Sequence, residues 1–409
     1  MILYRSLMRA LTPFLALHAG LQRLRGRIGP GGVAERFGRG AGGVGGIWFH
    51  GASNGELTSA RRVIEGLRAA RPDLPIVVTS NSWTARAMVA AWAMPGVSAR
   101  LAPLDTPGAV AAFRKRWQPG ALIFVENELW PERIAQMAAQ GPVVCLGARM
   151  SAGSARNWRR VAPGLIGGML GRIALLSAQD AASEARFLAL GLPSGRLGPR
   201  LMLKAGLVAQ PAALPFTPPH PRARILLAAS THEGEEAVIL RAFAQARAQF
   251  DLLILAPRHP RRSAEVAAAI RAESLPFATR SAGEVPGPET AVYLADTLGE
   301  MPGWYAMAGA TVIGGTFGPA GGHTPYEPAA QGSAILHGPG VANFTEAFAA
   351  LAAAQATLPV RAERLGAALA GLTAERQADL AARASGALTP ADDAALMASV
   401  LAVLPQPKG

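Results

Sequence analysis

Three short stretches bring carboxylates, imidazoles and glycines together at spacings that suit group transfer: H-G-A-S-N-G-E-L at His50–Leu57, V-E-N-E-L-W-P at Val125–Pro131 and G-G-H-T-P-Y-E-P at Gly321–Pro328. In the last, Gly321 and Gly322 let backbone approach a ligand closely, and the helix start at Ala329 offers unpaired N–H groups to an anion. Glu327, just before Pro328, can accept hydrogen bonds from a ribose diol, so the stretch suits a nucleotide-sugar site. The plainer alternative is a Gly-rich turn with Glu327 stabilising a helix start. In the first stretch a strand ends near His50, Gly51 and Gly55 permit a tight turn, and Glu56 opens a helix. Glu56 there can act as general base towards an attacking hydroxyl, or simply compensate the helix dipole. In the second, Glu126 and Glu128 directly follow an apolar strand, where two carboxylates are costly unless solvated or paired.

Further polar residues follow other apolar runs. Arg149 sits in G-A-R-M-S, and Arg156, Arg159 and Arg160 follow as an anion-holding cluster or a solvated helix face. Ser230, Thr231 and His232 stand in A-A-S-T-H-E-G-E-E, where Ser230 or Thr231 also makes a good N-cap. Arg258 in A-P-R-H-P offers a bidentate fork to phosphate or carboxylate, whereas His259 beside a proline reads as structural. In A-D-T-L-G-E-M, amides around Gly299 can cradle a phosphate. No nucleophile elbow, Ser-His-Asp order, Walker loop, dinucleotide fingerprint or metal-type His/Cys cluster is present. Group transfer by a base and phosphate-binding dipoles, with no metal or cofactor, is the chemistry that remains.

The elements that must position these residues alternate. Apolar runs at 47–50, 76–79, 121–125, 143–146 and 173–177 are separated by helical patterns at 57–71, 84–92 and 107–117. A second alternation has runs at 225–229, 252–256, 292–294, 311–315 and 334–336. Continuous apolar strands with intervening helices predict parallel sheets covered on both faces. The fold class is therefore α/β, with two Rossmann-like doubly wound domains facing each other across a cleft, and ligands beyond the carboxyl ends of the strands. The predicted boundaries are an N-terminal membrane-associated segment 1–40, an acceptor domain 41–204, a Pro-rich linker 205–222 and a nucleotide-sugar domain 223–409.

Formal charge is +13, from 40 Lys+Arg against 27 Asp+Glu, which draws the chain to anions. With 6% aromatics and no recognition motif, nucleic acid is not an expected partner; an anionic membrane surface or glycolipid is. Residues 1–21 are apolar but interrupted by Arg5, Arg9, Pro13 and His18, which predicts an interfacial helix or one packed on the first domain, flanked by Arg23, Arg25 and Arg27 on the cytoplasmic side. Cys145, the only cysteine, lies in an apolar strand and reads as a buried thiol.

Taken in order, these motifs, together with E-R-F-G at Glu35–Gly38, P-L-D at Pro103–Asp105 and N-F at Asn343–Phe344, resemble the 3-deoxy-D-manno-octulosonic acid (Kdo) transferases of lipopolysaccharide assembly. The resemblance implies the GT-B architecture and transfer of Kdo from CMP-Kdo to a lipid A precursor at the cytoplasmic face of the inner membrane. It implies an inverting mechanism with Glu56 as catalytic base. Ser53, Asn54, Gly55, Glu126, Glu128 and Arg149 would take substrate or acceptor. Ser230, Thr231, Arg258, His259, Thr297, Gly299, Glu300, Met301, Gly321, Gly322, His323, Glu327 and Asn343 would take the CMP-sugar. Asn54, the loop Thr79–Arg86 and G-A-R-M-S depart from the family's usual residues, all on the acceptor side. The alternatives are a transferase or epimerase of the same fold using a UDP-sugar, and a non-catalytic sugar-nucleotide-binding protein.

Overall fold

The computed structural model describes residues 1–43, 45–203, 214–388 and 393–405. The chain divides into two compact units, Met1–Gly206 with Ala391–Gly409, and Leu207–Pro390.

The first unit carries strands β1 (Ile47–His50), β2 (Ile76–Ser80), β3 (Val97–Leu101), β4 (Ala121–Val125), β5 (Val143–Ala148) and β6 (Leu175–Ala178). They form one parallel sheet in the order β3-β2-β1-β4-β5-β6. All except the edge strand β3 are buried along their whole length, as their unbroken apolar runs require. The strand order reverses between β1 and β4, and at such a switch point the carboxyl ends of the strands leave a crevice for ligands. The residues entering that crevice are His50 and those that follow it, and Glu126 and those that follow it. Strand β3, V-S-A-R-L, carries a serine and an arginine because it lies at the edge, and this hides it from a search for apolar runs.

The second unit carries β7 (Ile225–Thr231), β8 (Leu252–Pro257), β9 (Phe277–Thr279), β10 (Val292–Leu294), β11 (Ala310–Ile313), β12 (Ala334–His337) and β13 (Thr357–Pro359). Again every pairing is parallel, in the order β13-β12-β11-β7-β8-β10-β9. The two strands missed by sequence, β9 and β13, are three-residue edge strands, and β13 ends in a proline. The switch point falls between β7 and β11, so Ser230–His232 and the Gly314–Gly322 loop leave the sheet side by side.

One predicted boundary is corrected. The C-terminal helix Asp393–Val403 was assigned to the second domain, but Leu396, Val400 and Leu404 join the apolar cluster of Leu57, Ile64 and Val78 in the first unit. The helix is apolar all round, so its sequence carries no sign of which core receives it. Of the predicted linker, residues 205–213 lie outside the described residues.

The N-terminal helix Ile2–Leu24 docks on the first unit through one face. The Tyr4 hydroxyl donates to Asp105 (2.7 Å) and the Arg5 guanidinium to Glu132 (2.8 Å). Its other face leaves Leu3, Phe14 and Leu17 in solvent.

Candidate active site

In the first unit the turn after β1 is built by sequence-local chemistry. A side chain at Gly51 would meet the Leu57 side chain at 2.8 Å, so glycine lets the helix Asn54–Ala70 begin close to the strand without Leu57 having to shift. Ser53 caps that helix: its hydroxyl accepts from the Glu56 amide (3.3 Å) and donates to the Glu56 carboxylate (3.1 Å). The other Glu56 oxygen accepts from the Ala52 amide at 2.7 Å. This is a capping box shifted by one residue, the carboxylate accepting from the amide before the cap, and it holds the Glu56 carboxyl at the crevice. Asn54 accepts from the Thr84 hydroxyl (2.9 Å) and Gly55 faces open space. Burial pushes the Glu56 carboxyl up, its Ala52 hydrogen bond pulls it back, and the charges of Glu126 and Glu128 push it further, to about 7.

Glu128 has the opposite fate. It accepts from His50 Nε2 (3.0 Å), Asn81 Nδ2 (3.1 Å) and Trp130 Nε1 (2.6 Å). Burial alone would raise it, but the His50 hydrogen bond and the charge His50 carries at low pH, the Trp130 hydrogen bond and the nearby Arg133 charge overcome burial and hold it at about 2. His50, fully buried, is pushed down to about 4, chiefly by burial and then by Arg133. It is therefore neutral at physiological pH. Since an ionised Glu128 only accepts, the His50 proton sits on Nε2, and Nδ1 accepts from the Thr79 hydroxyl (2.9 Å). The contact is a hydrogen bond to an anion rather than an ion pair. Glu126 leaves β4 in a left-handed conformation (φ 56°), which redirects the chain into this loop. Arg149, half-buried, follows β5 after an irregularity between Cys145 and Ala148.

Asp105 anchors the far side of that loop. Its carboxylate accepts from the Glu132 and Arg133 amides (2.9 and 2.8 Å), which start the helix Pro131–Ala138, and from Tyr4. Arg133 is buried between Trp48 and Trp130, with its guanidinium 5.3 and 5.7 Å from their rings.

In the second unit, several predicted nucleotide contacts are committed to the fold. Thr231 is buried and donates to Glu236 (2.9 Å), which also takes Arg262 (2.8 Å). The helix Glu235–Gln245 starts at Gly234 with no side-chain cap, so neither Ser230 nor Thr231 is an N-cap. Ser230 instead takes a left-handed conformation (φ 58°). Asn343 Nδ2 donates to the carbonyls of Ala320 (2.8 Å) and Gly322 (3.1 Å), and Gly321 and Gly322 hold φ 82° and 80° to form that loop. Glu300 accepts from Arg280 (2.6 Å) and from Thr297. Gly299, at φ 91°, precedes the helix Met301–Met307. Arg258 and His259 are exposed just beyond β8, and Glu327 is half-buried in the first turn of the helix Tyr326–Ala330. His323 Nε2 lies 2.8 Å from His232 Nε2.

The family model for 3-deoxy-D-manno-octulosonic-acid transferase (kdotransferase) matches residues 31–205. A probable mitochondrial 3-deoxy-D-manno-octulosonic acid transferase of Arabidopsis thaliana is 34% identical over 372 residues, covering 85% of this chain and 82% of its own. The 3-deoxy-D-manno-octulosonic acid transferase of Haemophilus influenzae is 32% identical, covering 87% and 86%. The chain belongs to the Kdo transferase family. It is thus a glycosyltransferase, and its two parallel-sheet units are those of the GT-B class. UDP-GlcNAc 2-epimerase from Neisseria meningitidis shares that fold, with a TM-score of 0.59 over 88% of this chain and 99% of that one, at only 12% identity. The C-terminal CMP-Kdo binding domain of WaaA from Acinetobacter baumannii matches 41% of this chain and 90% of its own, with 31% identity and a TM-score of 0.38.

For this Kdo transferase, the residues that sequence reasoning passed over are those acting through others. His50 and Trp130 stand inside quoted motifs, yet their roles as donors to Glu128 depend on the loop's path. Asn81 lies in the loop Thr79–Arg86, which departs from the family's usual residues, and nothing in it marks Asn81 as a partner of Glu128. Arg133 and Asp105, 28 residues apart, meet because the helix Pro131–Ala138 begins over the P-L-D turn.

Proposed function

We propose that this chain transfers Kdo from CMP-Kdo to a sugar hydroxyl of a lipid A precursor, with inversion and without a metal. Glu56 takes the hydroxyl proton as the oxygen attacks the anomeric carbon. The bond from that carbon to the CMP phosphate oxygen breaks, and CMP leaves with the bonding pair. Ser53 orients Glu56, while Asn54, Gly55, Glu126, Glu128 and Arg149 face the acceptor or the Kdo group. Arg258, the Gly299 turn, Gly321, Gly322, His323 and Glu327 take the nucleotide. The observation that carries this reading is the 34% identity over 85% of the chain to a 3-deoxy-D-manno-octulosonic acid transferase, and the Glu56 carboxyl held at the crevice by Ser53 and the Ala52 amide fits the role of base, with its pKa pushed up to about 7. A general base works best when its pKa lies near the operating pH. The oxocarbenium-like transition state gains from fixed charge, which Glu128 supplies in ionised form at any physiological pH.

The test is a mass-resolved assay with labelled CMP-Kdo and a tetraacyl disaccharide acceptor. A product heavier by Kdo supports the reading. No transfer from CMP-Kdo, together with stabilisation by UDP rather than CMP, overturns it.

The reading places the enzyme on the cytoplasmic face of the inner membrane. No described helix is long and apolar enough to cross a membrane. The helix Ile2–Leu24 instead exposes an apolar stripe including Ile2, Leu3, Phe14 and Leu17, with Arg23, Arg25 and Arg27 beyond it, as an interfacial helix on anionic lipid requires. Its binding to anionic vesicles should weaken with salt if the basic flank dominates, and persist if the apolar stripe does.

A further inference from the structure

His232 and His323 belong to different loops, one leaving β7 and the other following its neighbour β11. Their Nε2 atoms are 2.8 Å apart, their ring centres 5.1 Å apart and their planes within 11°. The rings therefore lie end to end in nearly one plane, joined by a hydrogen bond, and are not stacked face to face. Both loops are fixed by one buried carboxylate. Glu235 accepts from the amides of His232 (2.9 Å), Gly315 (2.7 Å) and Phe317 (2.9 Å). The end of the second loop is pinned by the His323 amide on the Gly314 carbonyl (3.2 Å) and the Gly322 amide on the Gly315 carbonyl (2.8 Å).

Two neutral imidazoles in this arrangement hold one proton between their Nε2 atoms, so one ring is bare at Nδ1. A single added proton fills that Nδ1, keeps the bridge and makes the pair a monocation. A second would set two N–H groups against each other and break the bridge. The pair can thus take up one proton with its bridge intact, and an anion beside it favours that form. Glu235 lies under both loops, Glu233 stands on the His232 turn and Glu327 follows His323 by four residues. Against them stand Arg258, Arg261 and His259, whose ring is 6.3 Å from that of His232; Arg262 is paired with Glu236 and Glu265.

We propose that the His232–His323 pair is an anion-coupled proton acceptor: it takes one proton from solvent when the phosphate of the nucleotide binds at this sheet edge, and returns it when CMP departs. Only N–H bonds are made and broken. The proposal rests on the donor assignment above and adds His232, which that assignment did not include. It predicts that nucleotide affinity falls as pH rises, because each bound phosphate must then draw its proton from a scarcer supply.

The experiment is calorimetric titration of the full chain with CMP at pH 7.5 in two buffers of different ionisation heat. At that pH the CMP phosphate is already largely a dianion, its second pKa being about 6, so it supplies little of the exchanged proton. Net uptake of a substantial fraction of a proton is expected. CMP affinity should weaken towards pH 9 by up to about tenfold per pH unit. The uptake should vanish in His232→Asn and in His323→Asn and survive in His259→Asn. CMP binding with no uptake in the wild type, or uptake that persists in both pair variants, overturns the proposal and leaves the donor assignment standing. If CMP does not bind in any buffer, the donor assignment fails and the proposal fails with it. Absence of uptake in the wild type overturns the proposal even where a variant does not fold, and where one pair variant fails to fold the other carries the attribution.

Discussion

Glu56 and Glu128 follow neighbouring strands, β1 and β4, and open into the same crevice, yet their carboxyls titrate about five units apart, at about 7 and about 2. Burial acts upward on both. Glu128 has three side-chain donors and the charge of Arg133, whereas Glu56 has one amide and one hydroxyl and faces two other carboxylates. What the contrast teaches is a division of labour. Environments that drive two titratable groups apart mark one as the proton acceptor and the other as fixed charge. The negative charge that Glu128 keeps is part of what raises Glu56.

The sharpest way to break this comparison is Glu56→Gln. Glutamine can keep the capping box, so the helix start and CMP-induced stabilisation should survive while turnover falls by about 10²-fold or more. Wild-type turnover should rise with pH through about 7 as Glu56 ionises. Equal turnover in the variant would remove Glu56 as base. Next in size is Glu128→Ala. Removing the acceptor strands three donors, of which His50 is fully buried, so unfolding free energy should drop by about 2–3 kcal/mol. The apparent pKa of the pH–rate profile should fall at the same time, because one of the charges raising Glu56 is gone.

A third prediction uses the opposite signs of the two linked titrations. His50 is held down from 6.5 to about 4, so the unfolded chain binds the extra proton between those values and stability falls as pH drops through that window. Glu56 is raised from 4.5 to about 7, so the native state binds the extra proton there and stability falls as pH rises. Between pH 4.5 and 6.5 the two slopes oppose. Glu56→Gln should therefore lose stability on acidification through this window more steeply than the wild type, as followed by denaturant midpoints. Identical slopes would show that Glu56 is not raised.

The difference between the two carboxylates was only half legible in the sequence. Both glutamates announce themselves by following apolar strands, and Gly51 and Gly55 announce the turn, because glycine requirements and strand periodicity are local. The central strands and the buried edge strand β6 were legible for the same reason, whereas the edge strands β3, β9 and β13 were not: β3 carries polar residues and β9 and β13 run three residues, and neither gives a period. What separates Glu56 from Glu128 is non-local. Asn81 reaches Glu128 from the end of β2, and His50 reaches it from β1 only through the parallel register. The same holds for His232 and His323, ninety-one positions apart, and for the C-terminal helix that returns to the first unit.

The smallest effect tests how far the support of Glu128 extends. Asp105 holds the start of the helix Pro131–Ala138 with two backbone amides, and Tyr4 adds a third donor from the N-terminal helix. Tyr4→Phe removes that hydroxyl and leaves both amide bonds, so it should lower stability by about 1 kcal/mol, the net worth of one hydrogen bond. The helix start stays pinned, and with it the loop from Glu126 to Trp130, so the pH–rate profile should not move. A shifted profile in Tyr4→Phe would mean that the N-terminal helix sets the charge balance at Glu56, and that the contrast between the two glutamates is not a property of the sheet crevice alone.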